Sequence, residues 1–287
     1  MINALSIDVE DYYQVSAFEP VVPYNTWGQF ESRVERNTKV LLDVLDETST
    51  YATFFVLGWV AERHPDLVKD IQARGHEVAS HGYKHQRVYT QSPANFQEET
   101  KKSKMILEDI IGQAVNGYRA ASYSITQESL WALDILIEEG FSYDSSIFPV
   151  WHDRYGIPNA ERFSHHIQRE RGTIQEFPLS TLQFGKMNVP IGGGGYLRLF
   201  PYALTRWAIH RLNKMEAQPA IVYLHPWEVD PDQPRIQGSV LSKFRHYVNL
   251  NKTETTVRNL LRDFIFAPLG ALLSKNEQRE PQNASIL

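Results

Sequence analysis

Short apolar runs alternate with amphipathic stretches along most of the chain. "ALSIDV" (4–9) is followed by "ERNTKVLLDVLDET" (35–48), "YATFFVLG" (51–58) by "HPDLVKDIQARG" (64–75), and "HEVASH" (76–81) by "NFQEETKKSKMILEDIIG" (95–112). The first member of each pair has the length and side chains of a buried strand. The second repeats apolar residues every three to four positions, as a helix lying on a sheet requires. The alternation continues through "VNGYRA" (115–120), "TQESLWALDILIEEG" (126–140) and "FSYDSS" (141–146), with Gly75 and Gly140 where left-handed helix stops belong. It then loosens into "TIQEFPLS" (173–180) and four glycines at 192–195, which predict short strands and a mobile or closely approached loop. A helix over "YALTRWAIHRLNKM" (202–215) and a strand over "AIVYLH" (220–225) restore it. This order predicts an α/β fold built on a parallel sheet or barrel. No linker or low-complexity stretch divides the chain, so one domain is expected, with its core over 1–236. A helical C-terminal extension over 237–287 should pack on it and end in a frayed "SKNEQREPQNASIL" (274–287).

Composition narrows the picture only modestly. The chain of 287 residues buries a sizeable core without disulfides, and its net charge of -5 gives no reason to expect a nucleic-acid partner. Absence of cysteine excludes thiolate metal sites and Cys nucleophiles. Six Trp and fourteen Tyr, among them Trp27, Tyr123, Trp151, Tyr196 and Trp227 in loops, fill a core or offer faces for sugar rings. The opening "MINALSIDVEDYY" has no basic region followed by an apolar run, so cytoplasmic residence is expected. No transmembrane segment is expected either: the nearest candidate, "FIFAPLGALL" (264–273), is broken by Pro268 and Gly270. It should pack on the protein body, with peripheral docking at the inner membrane as the alternative.

In parallel α/β folds, reactive side chains gather where strands end. Here the first strand ends in Asp8, Glu10 and Asp11, the third runs into His81 and His85, and later ones end in Arg119, Asp144 and His225. Two histidines four apart can aim both imidazoles one way, as a tetrahedral cation needs, although such a pair taken alone is more often structural. Each of the others has a plain alternative too: Asp11 and Asp144 as caps, Arg119 as a surface ion pair. Their succession at strand ends favours a metal-dependent hydrolase.

The strings "SIDVED", "TFFVLG", "HEVASHGYKH", "GYRAASYSI", "YDSS" and "IVYLHPWE" resemble, in order, the motifs of the polysaccharide deacetylases, carbohydrate esterase family four (the NodB homology domain), over about residues 3–230. "IDVEDYYQVSAFE" and the tail "KFRHYVNLNKT…LLRDFIF" are most similar to the exopolysaccharide subfamily of PEP-CTERM and exosortase loci. The resemblance implies a distorted (β/α) barrel of seven strands over 1–236. It implies a divalent metal, zinc being expected, and removal of acetyl groups from an N-acetylated polysaccharide or oligosaccharide. By the same resemblance His81, His85 and Glu10 hold the metal, Asp8 is the base, Arg119 orients and charge-balances it, His225 is the acid, and Asp144 aligns His225. Substrate contacts fall to Ser122, Tyr123, Leu224 and Trp227, with a backbone N–H near Ser122 or Tyr123 in an oxyanion hole.

Two positions depart from the family pattern. Asp8-Val9-Glu10-Asp11 replaces two adjacent aspartates, so either Glu10 or Asp11 is the carboxylate ligand; strand alternation favours Asp8 with Glu10. Ala121 stands where the family usually has proline two residues after the arginine, which loosens the expected turn. The tetraglycine "GGGG" lacks a following GK[ST], so it is a loop bordering a substrate groove or a plain connector. Rival functions are an amidohydrolase for a small amide or ureide, allantoinase-like, and an inactive glycan-binding protein. The oligomeric state is not written in the sequence.

Overall fold

The computed structural model describes residues 1–152 and 155–276. The expected frayed segment therefore lies mostly outside the described residues. From the N-terminus, β1 (Ile2–Val9) leads through a long loop to α1 (Val34–Glu47), then β2 (Thr53–Val56), α2 (Gly58–Arg63), α3 (Pro65–Ala73), β3 (Glu77–Ser80), α4 (Pro93–Ile111), β4 (Gly117–Tyr118), α5 (Trp131–Glu138) and β5 (Tyr143–Asp144). There follow β6 (His165–Arg169), β7 (Gly172–Glu176), β8 (Thr181–Phe184), β9 (Met187–Pro190), α6 (Gly195–Leu199), α7 (Tyr202–Met215) and β10 (Ile221–Leu224). The tail forms α8 (Val240–Tyr247), α9 (Leu250–Asp263), β11 (Ile265–Ala267) and α10 (Gly270–Asn276).

The local reasons match the pattern. α1 buries Val34, Thr38, Leu41, Leu42 and Leu45, spaced three and four apart. α4 starts where Ser92 Oγ accepts the Asn95 N–H at 3.2 Å with Pro93 in the first turn, and stops at Gly112, whose φ is +64°. Gly75 and Gly140, at φ +84° and +75°, are the left-handed stops expected. All four residues of β2 and of β10 are buried, as in a sheet covered on both faces.

Pairing runs β10-β1-β2-β3-β4-β5-β7, seven strands all parallel, with β6 antiparallel on the outside of β7. This is the α/β architecture expected from the sequence. Strand pairing does not join β7 to β10; instead the chain from 178 to 194 spans the gap. Ser180 Oγ accepts the Ile221 N–H at 2.7 Å, and Tyr223 donates to Gly192 O at 2.7 Å and accepts from Gly194 N at 3.1 Å. The glycines make this approach possible, since a Cβ on Gly193 would lie 2.1 Å from Tyr223 O and one on Gly192 2.6 Å from Ile221 O. Gly192, Gly193 and Gly194 thus form a close-packed seam, while Gly195 meets nothing within 4 Å and, with Gly194, lines a cavity.

Alternation along the strands makes two cores. Leu5, Ile7, Val9, Phe54 and Val222 pack outward under the helices, while Ala4, Phe55, Ala79, Tyr143, Phe177, Ile221 and Tyr223 fill the inside of the curved sheet. The apolar tail segment packs on the body: β11 pairs with β1 through Ile2–Ala4, and Phe266, Leu269 and Leu272 are buried. Among the described residues, no helix is long and apolar enough to cross a membrane.

Candidate active site

β1 delivers its chemistry through the same alternation. Asp8 follows Ala4 and Ser6 on the inner face and is 2 % exposed. Its Oδ1 accepts from Arg119 Nη1 at 2.7 Å, and its Oδ2 accepts from the Tyr123 hydroxyl at 3.3 Å. Burial holds the Tyr123 pKa well above its usual value, so the phenol keeps the proton it donates. Arg119 is completely buried, yet each arm is used: Nη1 also donates to Ser6 Oγ at 2.7 Å, Nε to Ser145 O at 3.1 Å, and Nη2 to Ser145 Oγ at 2.8 Å. A desolvated guanidinium tolerates burial only when paired and saturated in this way.

Just past the strand, Glu10 meets the two histidines. One ligand atom from each of Glu10, His81 and His85 lies within 4.8 Å of the others, and all three side chains are nearly enclosed. His81 Nδ1 donates to Arg119 O at 2.8 Å, which leaves Nε2 as the free lone pair. Burial lowers the His81 pKa to about 4, so this imidazole is neutral, as a ligand must be. Glu10 Oε2 sits 2.9 Å from His85 Nε2 but accepts no hydrogen bond. Although burial pushes the Glu10 pKa up, His85, His225 and His81 together pull it below the usual carboxylate range. A buried carboxylate oxygen with no well-aligned donor, grouped with the His81 lone pair and the His85 ring, fits a divalent cation. Glu10 Oε1 is oriented by Trp227 Nε1, which donates to it at 3.1 Å.

Opposite stands His225, after β10. Its Nε2 is 3.6 Å from Glu10 Oε1 and 3.9 Å from Asp8 Oδ2, and its Nδ1 is 2.7 Å from Glu228 Oε1. Burial alone would lower its pKa, but Glu10, Glu228 and Asp8 raise it to about 9, so the ring is an imidazolium at neutral pH. Glu228 is anchored in turn by Arg198 Nε at 2.6 Å.

Several expectations need correction. Asp144 does not align His225. Its Oδ1 accepts from Ser146 Oγ at 2.5 Å, and it is paired with the buried Glu176, its register partner on β7; Glu228 contacts His225 instead. Asp11 turns away from the cluster and caps α1 from a distance, its Oδ2 accepting from Arg33 N at 2.8 Å, Val34 N at 3.1 Å and Ser32 Oγ at 2.8 Å. Leu224 is core, 1 % exposed and outside the cavity lining. Trp227 is 4 % exposed and stacks between His225 and His246, with centroids 5.0 and 4.0 Å away. It does line the cavity, where its indole N–H donates to Glu10. The Tyr123 N–H is taken by Ala120 O at 3.0 Å, which removes it as an oxyanion donor.

Ser122 and Tyr123 do line the cavity, and both adopt positive φ, +52° and +53°, as does His85 at +53°. Such conformations cost energy in residues with a Cβ, and here they cluster around the reactive groups. The cavity, about 390 Å³, has Asp8, Glu10, His81, His85 and His225 in its lining together with Tyr155, Tyr196 and Tyr223. Glu228, Arg198 and Ser145 were not anticipated. The signal for Glu228 was local: in "HPWE" it stands three residues after His225, where a tight turn folds a side chain back. Arg198 carried no local signal.

Residues 26–136 match the polysaccharide deacetylase family, and residues 145–274 match a domain of unknown function (DUF3473). His81, His85 and Arg119 lie in the first match, His225 and Glu228 in the second, and Asp8 and Glu10 precede both. A chitooligosaccharide deacetylase of Bradyrhizobium sp. (strain ANU 289) is 32 % identical over 99 residues, 34 % of this chain and 43 % of that protein. A peptidoglycan-N-acetylglucosamine deacetylase of Bacillus cereus is 28 % identical over 120 residues, 38 % and 44 %. The chain thus spans less than half the length of either relative. Among solved structures, a Mycobacterium smegmatis protein assigned as a polysaccharide deacetylase superposes with a TM-score of 0.65 at 18 % identity, covering 99 % of this chain and 92 % of that one. Puue allantoinase superposes at 0.62 with 13 % identity, covering 98 % and 91 %. At these identities the likeness is one of fold.

Proposed function

We propose that this chain, which carries a polysaccharide deacetylase domain over residues 26–136, is a metal-dependent N-deacetylase of an N-acetylated glycan. The observation that carries this is the convergence, around one cavity, of a Glu10–His81–His85 cluster, the Asp8–Arg119 pair and the His225–Glu228 pair. Glu10, His81 and His85 would hold a divalent cation, zinc by the donor set. Bound there, it supplies positive charge that acidifies a water and polarises an amide carbonyl.

The remaining steps belong to the chain's own groups. Asp8 takes the proton of the attacking water, and Arg119 keeps that carboxylate oriented. His225, protonated and aligned by Glu228, gives its Nε2 proton to the departing amine nitrogen as the C–N bond breaks. The products are acetate and a free amine on the sugar. The aromatic side chains of Tyr155, Tyr196 and Tyr223 suit sugar rings. The opening "IDVEDYYQVSAFE" and the tail "KFRHYVNLNKT…LLRDFIF" support the exopolysaccharide subfamily, and hence an exopolysaccharide substrate.

Acetate release from a panel of N-acetylated oligosaccharides, with and without a chelator, tests this. Chelator-sensitive release that zinc restores is expected. Hydrolysis of allantoin without any glycan turnover would move the assignment to a small-ureide amidohydrolase. Glycan binding with no turnover at any metal loading would leave a binding protein.

A further inference from the structure

Between Gln233 and Thr253 the chain has no acidic residue and four basic ones, Arg235, Lys243, Arg245 and Lys252, in a protein of net charge -5. In this stretch lies α8, which turns three large apolar side chains to solvent: Val240 is 82 % exposed, Leu241 56 % and Phe244 55 %. Val240 and Phe244 are four apart and Leu241 and Phe244 three apart, so the three share one side of the helix. Lys243 and Arg245 flank that side, and neither has a carboxylate partner among the described residues.

The opposite side of α8 is held firmly. His246 is buried, stacks on Trp227 and is joined to Gln233 Oε1 at 2.7 Å, while Arg198 Nη1 donates to His246 O at 2.7 Å. The apolar stripe is therefore presented outward by a fixed helix. Ser242, Arg245 and His246 line the catalytic cavity beside Leu199, itself 39 % exposed, so the helix that carries the stripe borders the cavity with its other sides.

We propose that α8 seats the protein on an anionic bilayer surface, with Val240, Leu241 and Phe244 entering the acyl boundary and Lys243 and Arg245 meeting lipid phosphates. An apolar stripe flanked by unpaired cations has the pattern of an interfacial helix. A second copy fits less well. Across a twofold axis the acid-free, basic stretch would meet itself, and three side chains fall short of the roughly 800 Å² per partner of a standard interface. The surface does not depend on the deacetylase assignment.

Sedimentation of the full chain with vesicles of phosphatidylcholine alone, and of phosphatidylcholine with phosphatidylglycerol, tests the proposal. Binding to the anionic vesicles is expected, with at least about tenfold weaker partitioning to neutral vesicles or at high salt. The double substitutions Val240→Ser with Phe244→Ser, and Lys243→Gln with Arg245→Gln, should each weaken binding by about tenfold. The first pair should leave the thermal transition and the turnover of a soluble substrate unchanged. Protein that stays in the supernatant with anionic vesicles overturns the proposal, as does vesicle binding that neither variant weakens. A concentration-dependent dimer that Val240→Ser with Phe244→Ser dissolves, without vesicle binding, assigns the stripe to a second copy instead.

Discussion

Glu228 and Asp144 are both buried carboxylates placed just beyond or at the end of a parallel strand, and they have opposite fates. Burial pushes both pKa values up, but Arg198 and His225 beside Glu228 bring it down to about 2, so it stays a carboxylate. Asp144 has no such cation. It faces Glu176, and burial raises it to about 6 while Glu176 rises well above its ordinary value, so the pair holds a proton. The first corner is an ion-pair chain running Arg198–Glu228–His225; the second is a neutralised acid pair that ties β5 to β7. The comparison teaches that a carboxylate at a strand end becomes part of an acid–base device only where a distant element supplies a cation.

The largest expected effect lies in the first corner. His225→Ala should lower turnover by roughly two to four orders of magnitude with metal content unchanged, the usual weight of a general acid. Glu228→Gln should lower it by about one to two orders, because the imidazole loses its carboxylate and Arg198 its counter-charge. Circular dichroism separates this from misfolding. A Glu228→Gln enzyme of normal turnover would return the aligning role to some other group.

The two corners also show what was legible beforehand. The strand–helix rhythm, the helix stops at Gly75 and Gly140, and the convergence of Asp8, Glu10, His81, His85, Arg119 and His225 were readable, because period and strand-end position are local properties. Asp144 and Leu224 were misplaced. Nothing in "YDSS" reveals that Glu176 rather than His225 lies across the sheet from it, since that depends on β7 pairing with β5. Leu224 faces the outer core by the same alternation that puts Tyr223 inside. Arg198, on a five-residue helix after the tetraglycine, was illegible because its contacts to Glu228 and the His246 carbonyl span 30 and 48 residues.

A smaller effect sharpens the second corner. Between pH 3.8 and about 6 the folded state keeps on Asp144 a proton that the unfolded chain releases, so stability falls as pH rises through that window. Asp144→Asn carries no such proton and keeps an oxygen for Ser146 Oγ. It should therefore remove Asp144's share of the decline, leaving that of Glu176, whose pKa burial raises, and be more stable than wild type at pH 7. Urea denaturation at pH 4 and pH 7 measures both. Turnover should stay within about threefold of wild type, whereas a loss like that of Glu228→Gln would mean that Asp144 does serve His225.

The smallest expected effect concerns a third acid, Asp11, which stands outside both the Glu10–His81–His85 cluster and the Asp144–Glu176 pair. Its Oδ2 takes the backbone N–H groups of Arg33 and Val34, at the start of a helix whose own cap residue, Arg33, offers no side-chain acceptor. Its Oδ1 takes the N–H of Tyr12 at 3.1 Å. Asn would keep one oxygen but turn an amide NH₂ toward donors, stranding buried N–H groups. Loss of such a cap costs about 1–2 kcal/mol, or roughly 2–8 °C in Tm for a chain somewhat larger than 250 residues. Metal content should not change, because Glu10 lies with His81 and His85 while Asp11 points toward α1. Metal titration of Asp11→Asn beside Glu10→Gln decides the point. If Asp11→Asn loses the metal and Glu10→Gln retains it, the ligand is Asp11, and the separation of the opening carboxylates into Asp8, Glu10 and a cap is wrong.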